Sequence, residues 1–243
     1  MITTKVASDL QAQLSTTAAD EPVGVIVRHK PDITVAQAVP DARVGHSYRL
    51  VPATAMSVRP ADIEALSHDE TVDYIWPDLP VHTCLDVSVP RIQTPSVWDA
   101  GFQGEGMKVG IVDTGIDPNH ADFEGRLVAM TSFVGGDGVD DNGHGTHVAG
   151  IAAGTGAASD GKYRGVAPAA SLYVAKVLDA NGGGSMSGVM AGIEWAVDQG
   201  VHVINLSLGS SGPCDGTDAL STLCDEAVKQ HGIAVCVAAG NSG

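Results

Sequence analysis

A run of small residues that begins with a histidine constrains the fold of this chain more than any other feature. His144 and Gly145 open the run, which extends to Gly154, and Ile151 is its only large apolar side chain. This composition predicts a narrow helix over residues 144–154 that other backbones can approach closely in a tight core. The first turn of that helix would hold His144 rigidly at an edge that another side chain or a ligand can reach.

The segments around this run alternate between two patterns. Short apolar runs predict strands, and apolar residues at helical spacing predict helices. The strands are expected at residues 108–112, 171–177, 201–206 and 233–238, and the other helices at 187–200 and 218–231. Strands that alternate with helices indicate an α/β unit whose parallel sheet is covered on both faces.

The N-terminal part has a different pattern, typical of a small α+β unit of the split-βαβ, ferredoxin-like kind. Residues 1–20 are polar and predict a loose tail or a weak helix. Residues 78–95 are rich in proline and predict an extended linker. Between them we expect strands at 23–28, 48–58 and 71–76, a further strand around 43–46, and helices at 33–39 and 60–67.

Three turns that follow predicted strands in the second part carry the candidate functional residues. Asp113 follows the first strand, residues 207–209 follow the third, and Asn241 follows the fourth. Because the carboxyl ends of parallel strands share one edge of a sheet, these groups should lie on the same edge. An aspartate there can accept the Nδ1 proton of a histidine and fix its tautomer. On spacing alone, however, the favoured interpretation of both Asp113 and Asn241 is a turn residue.

Five blocks of sequence occur in a fixed order over residues 88–243, and together they resemble the subtilisin-like serine proteases. The blocks are VDTGI at 112–116, HGTHVAG at 144–150, GVAP at 165–168, VINLSLG at 203–209 and AAGN at 238–241. The resemblance implies that Asp113 is the aspartate of a catalytic triad. It implies that His144, and not His147, is the general base, and that Asn241 stabilises the oxyanion.

The same resemblance implies a cleft for polypeptide substrates. It implies that residues 84–243 are a peptidase domain and that residues 21–83 are its propeptide. The propeptide would act as an intramolecular inhibitor until the precursor cleaves itself between about residues 78 and 88. The residues that would pair with an extended substrate are Gly182, Gly183 and Gly184 on one side and Ser207, Leu208 and Gly209 on the other.

The family's nucleophile block, Gly-Thr-Ser-Met-Ala, does not occur in this sequence. We therefore expect a peptidase domain truncated before its catalytic serine, inactive as given, poorly stable and prone to aggregate. The alternative from another class is a non-catalytic pseudoprotease or an inhibitor-like binding module.

Charge narrows the list of partners. The net charge is −16, with 13 Lys and Arg against 29 Asp and Glu, and no basic patch could neutralise phosphates. This excludes nucleic acid and anionic membrane surfaces as partners. No apolar run reaches transmembrane length. The resemblance implies an extracellular protein, but residues 1–20 contain no visible signal peptide, so a cytoplasmic location stays open.

The chemistry implied by the resemblance requires no cofactor, while structural calcium is common in the family and stays possible here. Asp122 resembles one calcium ligand of the family, but the loop at residues 155–164 departs from the known calcium loop, so no metal ligands are assigned. A zinc site is not indicated, because no two cysteines have metal-site spacing. Cys214 and Cys224 could form a disulfide, and Cys236 is predicted to be buried in an apolar strand.

Overall fold

The computed structural model describes residues 3–31, 39, 42–83, 92–210 and 215–240, with the backbone alone at 81–83. These residues form two compact units. One consists of the described residues within 1–79 and 213–226, and the other of those within 80–212 and 227–243.

The first unit is built on a four-stranded antiparallel sheet whose strand order is β2-β3-β1-β4. This order agrees with the ferredoxin-like α+β pattern predicted for this part of the chain. Helix α2 begins at Pro60, where a missing N–H costs nothing, and Asp62 accepts a bond from the backbone N–H of Arg59. The elements are α1 (Ser8–Leu14), β1 (Val23–His29), β2 (Arg43–Tyr48), β3 (Ala53–Val58), α2 (Pro60–His68) and β4 (Val72–Pro77).

Three predicted elements of this unit, one strand and two helices, can be compared with the structure. The single strand expected at residues 48–58 is wrong, because a turn separates β2 from β3, and Pro52 in that turn has no N–H to donate to a ladder. Of the two alternatives for residues 1–20, the helix forms, and the side chain of Leu10 is fully buried. The helix expected at 33–39 lies outside the described residues except at its last position.

The second unit contains a five-stranded parallel sheet of order β12-β10-β6-β8-β7. Its strands are β6 (Lys108–Asp113), β7 (Leu127–Ser132), β8 (Ser171–Lys176), β10 (Val203–Leu206) and β12 (Ala234–Val237). Its helices are α3 (Thr94–Asp99), α4 (His144–Ala153) and α5 (Met186–Asp198). Helix α6 (Ala219–His231) precedes β12, and only its residues from 227 onward belong to this unit. The predicted strands and helices of this part are confirmed, whereas β7 and α3 were not predicted.

Helices α4 and α5 cover opposite faces of this sheet. Val109 and Ile111 of β6 belong to the buried cluster that includes Val148 and Ala149 of α4. The intervening Gly110 faces the other way, where an added Cβ would lie 3.3 Å from Ala196 of α5. Since alternate residues of a strand point to opposite faces, the two helices sandwich the central strand β6.

A separate three-stranded sheet of order β11-β5-β9 lies in the same unit. It consists of β5 (Pro80–Thr83), β9 (Gly183–Ser185) and β11 (Leu208–Gly209), and β5 is antiparallel to both neighbours. The expectation of an extended linker at 78–95 is therefore wrong at both ends, because residues 80–83 are paired and helix α3 begins at Thr94.

The prediction that Cys236 is buried is also wrong. Cys236 lies in β12, an edge strand of the sheet, and its side chain is exposed together with that of Val237. An apolar run predicts a strand but does not reveal whether another element covers it. The pairing of Cys224 with Cys214 remains a prediction, since Cys214 lies outside the described residues. Within the described ranges, no helix is both long and apolar enough to cross a membrane.

Candidate active site

The carboxyl end of β6 and the first turn of α4 bring an aspartate against a histidine. Oδ1 of Asp113 lies 2.7 Å from Nδ1 of His144, and the Asp113 side chain is completely buried. The His144 side chain is 16% exposed. Because a carboxylate can only accept, Nδ1 carries the proton in this pair and Nε2 keeps its lone pair when the ring is neutral. Among the described residues, Nε2 of His144 and Oδ2 of Asp113 have no hydrogen-bond partner.

Helix α4 approaches β6 closely enough to make this contact because residue 145 is a glycine. A Cβ added at Gly145 would lie 2.2 Å from the carbonyl oxygen of Gly115. Real Cβ atoms do not approach backbone oxygens this closely. The backbone N–H of Gly145 also donates to Oγ1 of Thr114 at 2.8 Å. The small residues noted in the sequence therefore position His144 directly beside the end of β6.

Asp140 accepts hydrogen bonds both from the residue after Asp113 and from the first turn of α4, which carries His144. One of its oxygens accepts from Oγ1 of Thr114, the residue after Asp113, and from the backbone N–H groups of Asn142 and Gly143. Its other oxygen accepts from the backbone N–H and Oγ1 of Thr146 at 2.8 and 2.6 Å. The carboxylate thus caps the N-terminal end of α4 while it holds the loop after β6. Burial raises the pKa of Asp140, but the bonds from Thr146, Gly143 and Asn142 outweigh it and lower that pKa overall.

Lys176 supports the same loop from the next strand. Its buried Nζ donates to the carbonyl oxygen of Thr114 at 2.7 Å and to Oδ1 of Asp141 at 2.5 Å. Asp140 and Lys176 were not singled out as site residues from the sequence. An acidic residue four positions before a helical histidine, and a lysine ending an apolar strand, are the signals that could have found them.

The contact with Asp113 raises the pKa of His144. The pKa of His144 is raised above its ordinary value of 6.5, chiefly by the hydrogen bond to Asp113. Burial opposes this shift, and the charges of Asp113 and Asp140 add to it. A histidine held this way favours the imidazolium, which is the form a general base must reach during acyl transfer.

His147 lies one turn further along α4 and is exposed. It lines a cavity of about 1010 Å³ with Trp98, Phe123, Ile151 and Tyr163, and Asp113 and His144 are not among its lining residues. This arrangement gives His147 no part in the pair.

The two predicted substrate-binding segments flank a strand of the chain itself. Gly183 and Gly184 lie in β9, and Leu208 and Gly209 form β11. Strand β5 pairs with both, so that His82 is opposite Gly183 and Gly209. Gly182 precedes β9 with φ near +75°, and Ser207 is buried before β11 and accepts from Nδ2 of Asn205. Asn241, the predicted oxyanion donor, lies outside the described residues.

Comparison with known proteins places the chain in a family. A family model described as the subtilase family matches residues 104–243, more than half of the chain. The chain belongs to the subtilase family. M-protease of Shouchella clausii (strain KSM-K16) is 42% identical over 207 residues, which cover 82% of this chain and 51% of the relative. Subtilisin E of Bacillus subtilis (strain 168) is 38% identical over 207 residues, with 83% and 52% covered.

The chain therefore spans about half the length of these curated subtilase relatives. A solved structure supports the fold independently. The crystal structure of fervidolysin from Fervidobacterium pennivorans, described as a keratinolytic enzyme related to subtilisin, matches with a TM-score of 0.71 at 23% identity. That match covers 92% of this chain and 40% of the fervidolysin chain. The predicted subtilisin-like α/β fold is confirmed.

Asp122 occupies the position that resembles a calcium ligand of the subtilases, but its surroundings do not fit a cation. Its Oδ1 accepts from the backbone N–H of Ala158 at 2.8 Å and its Oδ2 from that of Gly156 at 3.1 Å. Calcium takes six to eight oxygen ligands. The groups that face the two oxygens of Asp122 are instead the N–H donors of Gly156 and Ala158. Within the described part of the chain, no group of three or more His, Cys, Asp or Glu side chains could hold a metal ion.

Proposed function

We propose that this chain contributes the general base and its orienting aspartate to a serine endopeptidase that hydrolyses polypeptides. The observation that carries the proposal is the 2.7 Å contact between Asp113 and Nδ1 of His144. Membership of the subtilase family and relatives named as proteases support it.

In this mechanism Asp113 keeps the proton on Nδ1, so that Nε2 of His144 accepts the proton of a serine hydroxyl as that oxygen attacks the peptide carbonyl. The imidazolium then returns the proton to the leaving amine. Asn241 would donate its side-chain N–H to the oxyanion, a contribution of about 3–4 kcal/mol where a comparable donor has been removed. The serine would come from the family's Gly-Thr-Ser-Met-Ala block, which residues 1–243 do not contain.

We further propose that the substrate lies as an extended strand between β9 and β11. The pairing of β5 with both strands supports this, since a peptide that adds to exposed strand edges makes the same main-chain bonds. Residues 21–83 would then be a propeptide whose final segment occupies the cleft and inhibits the enzyme until self-cleavage. Family resemblance favours an extracellular location for the processed enzyme.

Replacement of His144 tests the assignment. In protein expressed from the reading frame extended beyond Gly243, His144→Ala should lower kcat on a peptide substrate on the order of 10⁶-fold, the loss known for a triad histidine in a related protease. It should also abolish self-cleavage. His147→Ala, an exposed histidine on the same helix, is the matched control and should retain both activities. Self-processing in purified His144→Ala protein, or the absence of hydrolysis by the extended wild-type protein, would refute the proposal.

A further inference from the structure

The loop that follows α4 donates hydrogen bonds to the carboxylate of Asp122. Residues 155–164 contain a short 3-10 helix at Ala157–Ser159, and Gly156 before it adopts a φ of +78°. This positive φ turns the backbone so that the N–H groups of Gly156 and Ala158 both reach the side chain of Asp122. Asp122 itself is 6% exposed. The loop therefore presents a pair of N–H groups to a nearly buried negative charge.

Further contacts hold Asp122 in place from its other side. Its backbone carbonyl oxygen accepts from the backbone N–H of Thr155 at 3.2 Å and from the guanidinium of Arg126. Arg126 also donates to the carbonyl oxygen of Ala153, the last residue of α4. A Cβ added at Gly154 would lie 2.9 Å from Oδ2 of Asp122, so the carboxylate packs directly against the end of the helix.

Two carbonyl groups of this loop, those of Gly156 and Ser159, already accept hydrogen bonds from within the loop. The oxygen of Gly156 accepts from the backbone N–H groups of Ser159 and Gly161 and from Oγ of Ser159. The cavity beside Asp122 is lined by Lys162 and Arg164, and Asp122 is the one acidic residue among its lining residues. The amide hydrogens of Gly156 and Ala158 contact this carboxylate, and two cationic side chains line the cavity beside it. This is an environment for an anion and not for a cation.

We propose that Asp122 acts as a clamp that orders the loop at 155–164 through the N–H groups of Gly156 and Ala158, in the place where relatives would use a calcium ion. Two charge-assisted hydrogen bonds to one buried carboxylate close the turn from within the chain. The order of this loop should then be independent of calcium, whether or not calcium binds elsewhere in the protein.

Amide hydrogen exchange of the 243-residue chain tests this clamp. In wild-type protein, the exchange rates of the Gly156 and Ala158 amides should be the same in EDTA and in excess CaCl₂. In Asp122→Asn, the new side-chain NH₂ group faces one of the two backbone donors, and both amides should exchange roughly 10- to 100-fold faster in either solution. Asp160→Asn is the matched control, since it removes the same charge from an exposed position of the same loop, and it should leave both rates unchanged.

The other possible results of the exchange experiment either support the clamp or overturn it. If CaCl₂ slows the exchange of these amides in wild type but not in Asp122→Asn, then Asp122 binds calcium and the proposal is wrong. If Asp122→Asn leaves the exchange rates unchanged, the clamp does not exist. A thermal midpoint that calcium raises equally in wild type and Asp122→Asn would place calcium elsewhere and support the proposal. Should Asp122→Asn fail to fold, the wild-type comparison of EDTA with CaCl₂ still decides whether calcium orders the loop.

Discussion

The pair of Asp113 and His144 links the pH of the solution to the stability of the chain. Because the pKa of His144 is raised above 6.5 in the folded state, the folded protein binds a proton more tightly than the unfolded chain. The resulting stabilisation is complete below about pH 6.5 and is lost as the pH rises through the raised pKa. We expect the difference in unfolding free energy between wild type and His144→Gln to shrink across that interval. Urea denaturation between about pH 5.5 and 9 measures it, and a difference that grows with pH would contradict the assigned shift.

The charge of Asp140 should raise the pKa of His144 without a direct contact between the two side chains. Asp140→Asn removes a negative charge that raises the pKa of His144, and it leaves Thr146 and Thr114 with a weaker acceptor. We therefore expect the pKa of His144 in the variant to fall relative to wild type, as followed by NMR of its ring protons. Asp137→Asn is the control, because Asp137 is an exposed carboxylate of the same segment that accepts from the N–H of Val139. Equal titration of His144 in wild type and Asp140→Asn would show that Asp140 only caps the helix.

At the scale of elements, two glycines of α4 should respond differently to replacement by alanine. Gly145→Ala would drive a methyl group into the carbonyl oxygen of Gly115, so we expect it to destabilise the protein by about 1–3 kcal/mol or more. A Cβ at Gly150 meets open space, so Gly150→Ala should be neutral or stabilise by up to about 1 kcal/mol through helix propensity. Thermal or urea unfolding of the two variants compares them directly. Similar losses for both would mean that the contact between α4 and β6 is looser than described.

The elements that could be predicted from the sequence are those whose pattern is local. Helix α5 and strands β6 and β8 have clear apolar periodicity, and the structure places them within one or two residues of expectation. Strand β5 could not be predicted in this way, because its pairing with β9 and β11 depends on residues more than a hundred positions away. The exposure of Cys236 has a similar origin, since burial of a strand depends on what packs over it and not on its own sequence.

For the candidate site, Asp113 and His144 were predicted from the resemblance of their motifs to a family. Spacing alone favours a simple turn at Asp113. The contact itself follows from the parallel sheet, which brings the end of β6 beside the start of α4. Asp140 and Lys176 were missed because their roles are to hold backbone and hydroxyl groups of the loop, and short polar motifs do not distinguish such support from an ordinary solvated surface.

At the scale of the whole molecule, the net charge of −16 should make stability depend on salt. Like charges in a folded chain repel one another, and the screening length falls from roughly 30 Å at 0.01 M to about 8 Å at 0.15 M ionic strength. We expect the thermal midpoint to rise by several degrees between about 10 and 300 mM NaCl. A variant with Asp20, Asp73, Glu124 and Asp160 replaced by the matching amides removes four exposed charges, takes the net charge from −16 to −12, and should show a smaller rise. The same salt dependence in both proteins would assign the effect to general salting-out and not to the repulsion among carboxylates.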